Sequence, residues 1–224
     1  MLDWPGKISA VLFLSGCNFR CPYCHNPDLA EGKAAEELDW GEVRDYLLSR
    51  RGWIDGVAIT GGEPTIHSWL ADLCAEIKEI GFGVKVDTNG SRPRDVERLM
   101  REGLVDYVAM DVKTSPARYF QAAGRPVEWE RIEKTVNLLL GWEGGCEFRC
   151  TVVPGIVAYE DLLEIAGLLR GGKRLVLQQF KPGNNLDPSY ADKEAYPDDL
   201  LTQWAESLSR FLPTTVRGLS VVGG

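Results

Sequence analysis

Residues 56–90 read GVAITGGEPTIHSWLADLCAEIKEIGFGVKVDTNG. The run GVAITGG from Gly56 is short, apolar and β-branched, and GVKVDTN from Gly83 repeats the pattern. Both read as strands. Between them Leu70, Leu73, Cys74 and Ile77 recur at helical spacing and make one apolar face. Two strands joined through a helix run parallel with a right-handed crossover. The stretch is therefore one βα repeat unit.

The same alternation extends in both directions. Further strands are expected in ISAVLFLSG from Ile8, YVAMDVK from Tyr107, EFRCTVVP from Glu147 and LVLQQF from Leu175, with TVRGLSVV from Thr215 as a last run. Helical faces are formed by Ile132, Val136, Leu139 and Leu140, by Leu162, Ile165, Ala166 and Leu169, and by Leu201, Trp204, Leu208 and Phe211. Asp39 followed by Glu42 is a capping-box pattern, and Pro93 suits a first helical turn. About six βα units are too few for a closed eight-unit barrel, so a partial (β/α)6 barrel of the TIM type is expected, with parallel strands. No Pro/Ser-rich linker divides residues 1–224, which read as a single domain, and the irregular stretch Lys181 to Pro197 is expected to be a mobile loop.

Composition narrows the function classes. The chain has 224 residues, 25 Lys+Arg against 33 Asp+Glu, and a formal net charge of −8. An acidic surface disfavours an electrostatic grip on nucleic acid or an anionic membrane. No apolar run reaches the ~18 residues that a bilayer requires. The opening MLDWPGKISA has neither a basic n-region nor a small-residue cleavage site, so a cytoplasmic protein is expected. In a reducing compartment the six cysteines would bind metal, react or pack rather than form disulfides.

The chemically distinctive residues fall where strands run out. They are Cys17, Gly61-Gly62-Glu63-Pro64, Asp87-Thr88-Asn89-Gly90, Asp111-Val112-Lys113, Val153-Pro154-Gly155 and Gln178-Gln179-Phe180-Lys181. In parallel βα architectures the loops after the strands build the active site. The strongest signal among them is Cys17-Asn18-Phe19-Arg20-Cys21-Pro22-Tyr23-Cys24-His25, a CxxxCxxC spacing. Three close thiolates suit an iron–sulfur cubane, in which three ligands for four irons leave one iron open. Rival readings are a thioredoxin-like CxxC, a c-type haem attachment, a Cys₃His zinc site and simple packing. The first leaves Cys17 unexplained, the second needs a distal ligand, and the third strains adjacent Cys24 and His25 onto one ion. Packing does not suit so polar a segment. The spacing favours the open cluster.

With Tyr23 before the third cysteine and Gly-Gly-Glu-Pro after the second strand, the chain resembles the radical S-adenosylmethionine superfamily. Within it, Asp3-Trp4-Pro5-Gly6-Lys7 and FLSGCNFRCPYCHNPDL from Phe13 are similar to the glycyl-radical-enzyme activases, above all those acting on anaerobic ribonucleotide reductase, with the pyruvate formate-lyase activases as relatives. The resemblance implies a 4Fe-4S cluster on Cys17, Cys21 and Cys24, whose open iron is chelated by the amino and carboxylate groups of S-adenosylmethionine. It implies Tyr23 near the adenine, the Gly61-Gly62-Glu63 turn at the methionine amino group, and Asn89 among the cofactor contacts. Asp87, Thr88 and Asp111 resemble positions that hold a monovalent cation beside the methionine carboxylate. Lys113 would neutralise that carboxylate or contact ribose, with a salt bridge to Asp111 or Asp87 as the plain alternative. Arg149 would face either the cofactor or solvent, as strand register decides.

The implied reaction is one-electron reductive cleavage of the sulfonium bond, giving a 5′-deoxyadenosyl radical that abstracts hydrogen from a glycine α-carbon of a partner glycyl radical enzyme. A flavodoxin or ferredoxin would supply the electron, and neither nucleic acid nor membrane is an expected partner. The chain departs from the family in carrying Phe180-Lys181 where relatives often have a ribose-contacting His, and in lacking a ferredoxin-like cysteine insert. Cys74, Cys146 and Cys150 are expected in the core, His67 at the surface or a helix start, and His25 outside the chemistry. The alternatives are a small-molecule enzyme of the same superfamily, such as a 7-carboxy-7-deazaguanine synthase, with extra polar groups in the mouth, and a zinc-binding interaction module.

Overall fold

The computed structural model describes residues 3–33 and 36–220. Seven strands, β1 (Ser9–Leu14), β2 (Gly56–Gly61), β3 (Gly83–Thr88), β4 (Tyr107–Asp111), β5 (Gly145–Val152), β6 (Leu175–Gln179) and β7 (Thr214–Arg217), pair in parallel in sequence order. Six βα units were expected, and a seventh strand extends the sheet beyond β6. It falls in the last β-branched run, of which Val221 and Val222 lie outside the described residues. The sheet is not closed, because β1 and β7 are its two edges.

Register sorts every side chain to one of two faces. Ile59, Val86, Val108 and Cys146 are successive ladder partners, as are Val57 and Val84, and they lie on the outer face beneath the helices. These outer positions are buried. Covering them are α2 (Trp40–Ser49), α3 (Leu70–Glu79), α4 (Pro93–Arg101), α6 (Trp129–Leu140), α7 (Tyr159–Leu168) and α8 (Asp198–Leu208), together with the short α1 (Pro27–Glu31) and α5 (Tyr119–Ala123). The apolar faces of α3, α6 and α7 pack against the sheet through Leu70, Cys74 and Ile77, Ile132, Val136 and Leu139, and Leu162, Ile165 and Ala166. Emptying one large core site, as in Phe148→Ala, is expected to cost about 3–5 kcal/mol.

Helix punctuation matches the sequence except in detail. Pro93 occupies the first turn of α4, and Asp39 caps α2 by accepting from Gly41 N–H at 2.8 Å. Phe211 lies beyond the end of α8, where its ring takes Arg170 and Arg210 on its faces instead of extending the helical stripe. On the inner face the register aligns polar residues, with Asp111 beside Arg149 and Thr151 beside Gln178. Trp4 is buried at the strands' N-terminal end against Tyr107, with ring centroids 6.2 Å apart.

Residues 181–197, expected to be mobile, are tied to the loop that follows β1. Leu186 N–H donates to Cys24 O at 3.0 Å, Asp187 N–H to Pro22 O at 2.9 Å and Asn185 Nδ2 to Tyr23 O at 3.1 Å. The segment clamps three successive carbonyls of the cysteine loop. Among the described residues no helix is long and apolar enough to cross a membrane.

Candidate active site

Beyond Leu14 the chain leaves the sheet, and its backbone is held at both ends of the loop. Gly16 N–H donates to Leu29 O at 2.6 Å and Cys17 N–H to Ala30 O at 3.1 Å, seating the loop on α1. On the other side Arg20 N–H donates to Ala123 O at 2.8 Å, at the end of α5. A Cβ on Gly124 would stand 1.9 Å from Arg20 O, so only glycine allows this approach, and its φ of +64° favours glycine as well. The Arg20 guanidinium donates from Nη1 to the Cys17 and Phe19 carbonyls, both at 2.7 Å. These contacts hold Cys17, Cys21 and Cys24 around one open cavity of about 260 Å³.

The thiols' surroundings decide among the readings of this motif. Burial pushes the Cys21 thiol up to about 12 and raises Cys17, although the Phe19 N–H at 3.3 Å from Cys17 Sγ opposes the shift. A thioredoxin-type attacking thiol needs the opposite shift, toward the thiolate. A single zinc ion needs its ligands close about one point, and among the described residues no three His, Cys, Asp or Glu side chains meet that condition. A cubane spreads its thiolate ligands over separate corners. Three soft sulfur donors on one open cavity fit a 4Fe-4S cluster that keeps one iron free.

The end of β2 closes one wall. A Cβ on Gly61 would lie 2.4 Å from Leu14 O and one on Gly62 1.9 Å from Gly16 O, so both glycines serve the close approach of two backbones. Glu63, expected with Gly61 and Gly62 at the methionine amino group, lines the cavity but is only 1% exposed, with its carboxylate engaged by neighbouring residues. Its Oε1 accepts from Thr65 N–H at 3.1 Å, Thr65 Oγ1 at 2.6 Å and Thr88 Oγ1 at 2.7 Å, while Oε2 accepts from Asn89 N–H at 2.6 Å. Burial raises its pKa against the pull of these donors. Glu63 therefore staples the ends of β2 and β3 together.

An amide chain continues the lock to the cysteine loop. Asn89 Nδ2 donates to Asn18 Oδ1 at 2.9 Å, Asn18 Nδ2 to Ser91 Oγ at 2.7 Å, and Ser91 N–H to Asn89 Oδ1 at 3.0 Å. Asn18, Thr65 and Ser91 were not among the expected site residues. Their signal was their position within or next to strand-end motifs.

The inner face carries a ladder of charges. Lys85, only 1% exposed, bonds Asp87; Arg149 donates from Nη1 to Asp87 Oδ2 and from Nε to Asp111 Oδ1, both at 2.8 Å. Lys113 Nζ reaches Asp111 Oδ2 at 2.9 Å, so the salt bridge weighed for it is formed. Burial disfavours the Asp111 carboxylate, but Arg149 and Lys113 outweigh that and hold its pKa well below the usual carboxylate range. Lys113 and Arg149 are held above their ordinary values, burial again opposing and Asp111 prevailing. For Lys85 burial wins over Asp87 and the pKa falls.

This ladder engages the residues that were expected to hold a monovalent cation. Both Asp carboxylates already bridge side-chain cations, and Thr88 Oγ1 is spent on Glu63 and on Gly90 N–H at 3.1 Å. Lys85 was missed by sequence reading, its signal being a lysine between Val84 and Val86 in an apolar strand.

Tyr23 lines the cavity with its ring largely buried and its hydroxyl without a partner, and burial holds its pKa well above the ordinary value. His25 also lines the cavity and stacks on Phe180 at 6.3 Å, the residue standing where relatives often have a His; burial and then Lys181 lower its pKa. His67 is half-buried against Trp69 at 4.7 Å. Cys74, Cys146 and Cys150 are core residues, with burial pushing Cys74 and Cys150 up to about 12.

A three-thiol loop at the C-terminal mouth of an open parallel βα sheet defines an iron–sulfur protein of the partial-barrel class. The signature of the Radical SAM superfamily spans residues 11–169, and the chain belongs to that superfamily, whose enzymes use a 4Fe-4S cluster and S-adenosylmethionine. It is 32% identical to the "Putative glycyl-radical enzyme activating enzyme" of Methanocaldococcus jannaschii, over 96% of this chain and 90% of that one. It is 34% identical to the pyruvate formate-lyase-activating enzyme of Clostridium pasteurianum, over 50% of this chain and 48% of the relative. Among solved structures, Streptococcus suis SuiB bound to S-adenosylmethionine superposes with a TM-score of 0.75 at 17% identity, over 97% of this chain and 52% of SuiB. A domain of pyruvate-formate lyase-activating enzyme from Bacteroides vulgatus gives a TM-score of 0.57 at 20% identity, over 73% and 99%. These two likenesses show the fold.

Proposed function

We propose that this enzyme activates a glycyl radical enzyme, with an anaerobic ribonucleotide reductase as the partner. The observation that carries the proposal is the gathering of Cys17, Cys21 and Cys24 with the Gly61–Glu63 turn around one open cavity. The near full-length likeness to the M. jannaschii relative supports it. When bound, the cluster and S-adenosylmethionine supply one-electron cleavage of a sulfonium bond and a carbon radical able to take hydrogen from a glycine α-carbon.

The chain's own residues bind, orient and shield. Cys17, Cys21 and Cys24 would hold three irons of the cluster. Gly61, Gly62 and Asn89 line the pocket for the methionine end of the cofactor, and Glu63 keeps that wall rigid from behind. Lys113, paired with Asp111, and Tyr23 both line the cavity; there Lys113 would neutralise the ligand carboxylate and Tyr23 would bound the adenine. No residue here needs to move a proton; among the described residues the one histidine on the cavity, His25, stacks on Phe180. A low-potential carrier such as flavodoxin or ferredoxin supplies the electron in the cytoplasm, without nucleic acid or membrane as partner.

Two observations weigh against the alternatives. Among the described residues, none from 181–197 lines the mouth, a loop that could have supplied the extra polar groups expected of a small-molecule enzyme of the 7-carboxy-7-deazaguanine synthase kind. For the zinc-module reading, no three His, Cys, Asp or Glu side chains among the described residues are placed to hold one ion. The test is anaerobic mixing of the reduced, iron-loaded protein with S-adenosylmethionine and candidate glycyl radical enzymes, followed by electron paramagnetic resonance. A glycyl doublet with anaerobic ribonucleotide reductase is expected. No doublet with any candidate, together with turnover of a small molecule, overturns the proposal.

A further inference from the structure

The superfamily reading of the mouth, on which this inference rests, implies a monovalent cation on Asp87, Thr88 and Asp111, and the inner face shows what stands there instead. Arg149 is the ladder partner of Asp111 on the neighbouring strand, and on β4 the partner of Asp87 is the small Ala109. The long side chain can therefore cross β4 and lay one guanidinium against two carboxylates. Its Nε and Nη1 meet one oxygen of each at 2.8 Å, and the remaining oxygens are taken by Lys113 at 2.9 Å and by Lys85. A planar guanidinium with five N–H donors suits such bridging, and it stays charged throughout the working pH range.

Charge and donor counts agree with the geometry. Lys85, Lys113 and Arg149 pair with Asp87 and Asp111, so three cations meet two carboxylates and neither carboxylate is left without a counter-charge. The third expected ligand, Thr88 Oγ1, donates away from the pair toward Glu63. An added cation would have to displace a bidentate guanidinium from a site that is 11% exposed at Arg149. We infer that the Arg149 guanidinium takes the place of a monovalent cation between Asp87 and Asp111, making Arg149 a positioning residue for both carboxylates and, through Asp111, for Lys113.

The test compares thermal unfolding of the full chain without its cluster in potassium, sodium and tetramethylammonium chloride at equal ionic strength. The wild type should melt within about 1 °C in all three. R149M should melt roughly 10 °C lower in tetramethylammonium, because a buried ion pair has lost one partner, and regain part of that saturably in potassium or sodium. R149K, which keeps a cation at the position, should remain indifferent to the salt. A wild type stabilised saturably by potassium or sodium, or an R149M indifferent to all three salts, overturns the inference. Should R149M fail to fold, equilibrium dialysis of the wild type against rubidium decides: no retained ion sustains the inference, and about one ion per chain overturns it. Iron uptake by the same preparation is scored separately. A chain that takes up no iron refutes the superfamily reading of the mouth and leaves the salt result standing.

Discussion

Gly124 lies far in sequence from the cysteines, yet its place beside the Arg20 carbonyl makes it a sensitive probe of the site. A G124A substitution has two separable effects. The first is the backbone penalty of a non-glycine residue at φ +64°, about 1–2 kcal/mol. The second is the contact at 1.9 Å, inside the 3.0 Å that Cβ atoms keep from their neighbours. To relieve it, the backbone between Cys17 and Cys21 must retreat by about 1 Å, and the Arg20 N–H to Ala123 O bond, worth roughly 0.5–1.5 kcal/mol, is lost. Gly103 is the matched control, since its φ is +66° and a Cβ there meets nothing within 4 Å. G103A should destabilise by about 1–2 kcal/mol in urea and leave iron content unchanged. G124A should destabilise by about 2–4 kcal/mol and also lose iron or lower turnover by roughly 100-fold, the usual effect of a 1 Å misplacement. The assays are denaturant unfolding, iron per chain after anaerobic reconstitution, and the spectrum of the reduced cluster. Equal destabilisation of the two variants, with a full iron complement and an unaltered spectrum in G124A, would refute the reasoning.

The buried thiols make stability fall in alkali. Cys74 and Cys150 titrate near 12 in the fold and at about 8.5–9 when unfolded, so above pH 9 the unfolded chain releases protons that the native chain retains. Stability is full below the unfolded value and declines as pH rises toward the folded one. The two together should cost about 3 kcal/mol between pH 8 and pH 10, measured by urea unfolding, and the double variant C74A/C150A should lose most of that slope. Replacing Glu63 by Gln keeps the shape but sets an amide N–H₂ against N–H and O–H donors; E63Q should lose about 1.5–3 kcal/mol in the same assay, and no loss would show that the staple is idle. N185A removes a donor to Tyr23 O together with an acceptor that has no partner, so its stability change should stay within about 1 kcal/mol. Faster loss of iron from N185A on exposure to chelator would mark the clamp on the cysteine loop, and an unchanged rate would show that the backbone bonds from Leu186 and Asp187 suffice.

The strand runs were legible because parallel strands covered by helices must be apolar over most of their length, as Val108 to Met110 is throughout and Val84 to Val86 is but for Lys85. The cysteine loop was legible because its spacing is local. Arg149 was not, since a one-residue change in register would send it to the opposite face. Glu63 was legible as a strand-end carboxylate, but its partners lie on another strand end, at Thr88 and Asn89. The loop at residues 181–197 reads as irregular from its composition, while its tie to Pro22, Tyr23 and Cys24 joins segments some 160 residues apart.

Sequence alone determined the repeating βα architecture, the three-cysteine loop and the division of six thiols into three on the cavity and three in the core. These properties depend on periodicity and short spacings, which a linear chain carries in full. Only the tertiary structure decided that Arg149 bridges Asp87 and Asp111, that Glu63 faces inward, and that α5 and the Asn185 segment grip the cysteine loop from opposite sides. Charge pairing and hydrogen bonding are set by distances of about 3 Å, and folding brings together at that range residues whose separation along the chain bears no relation to it.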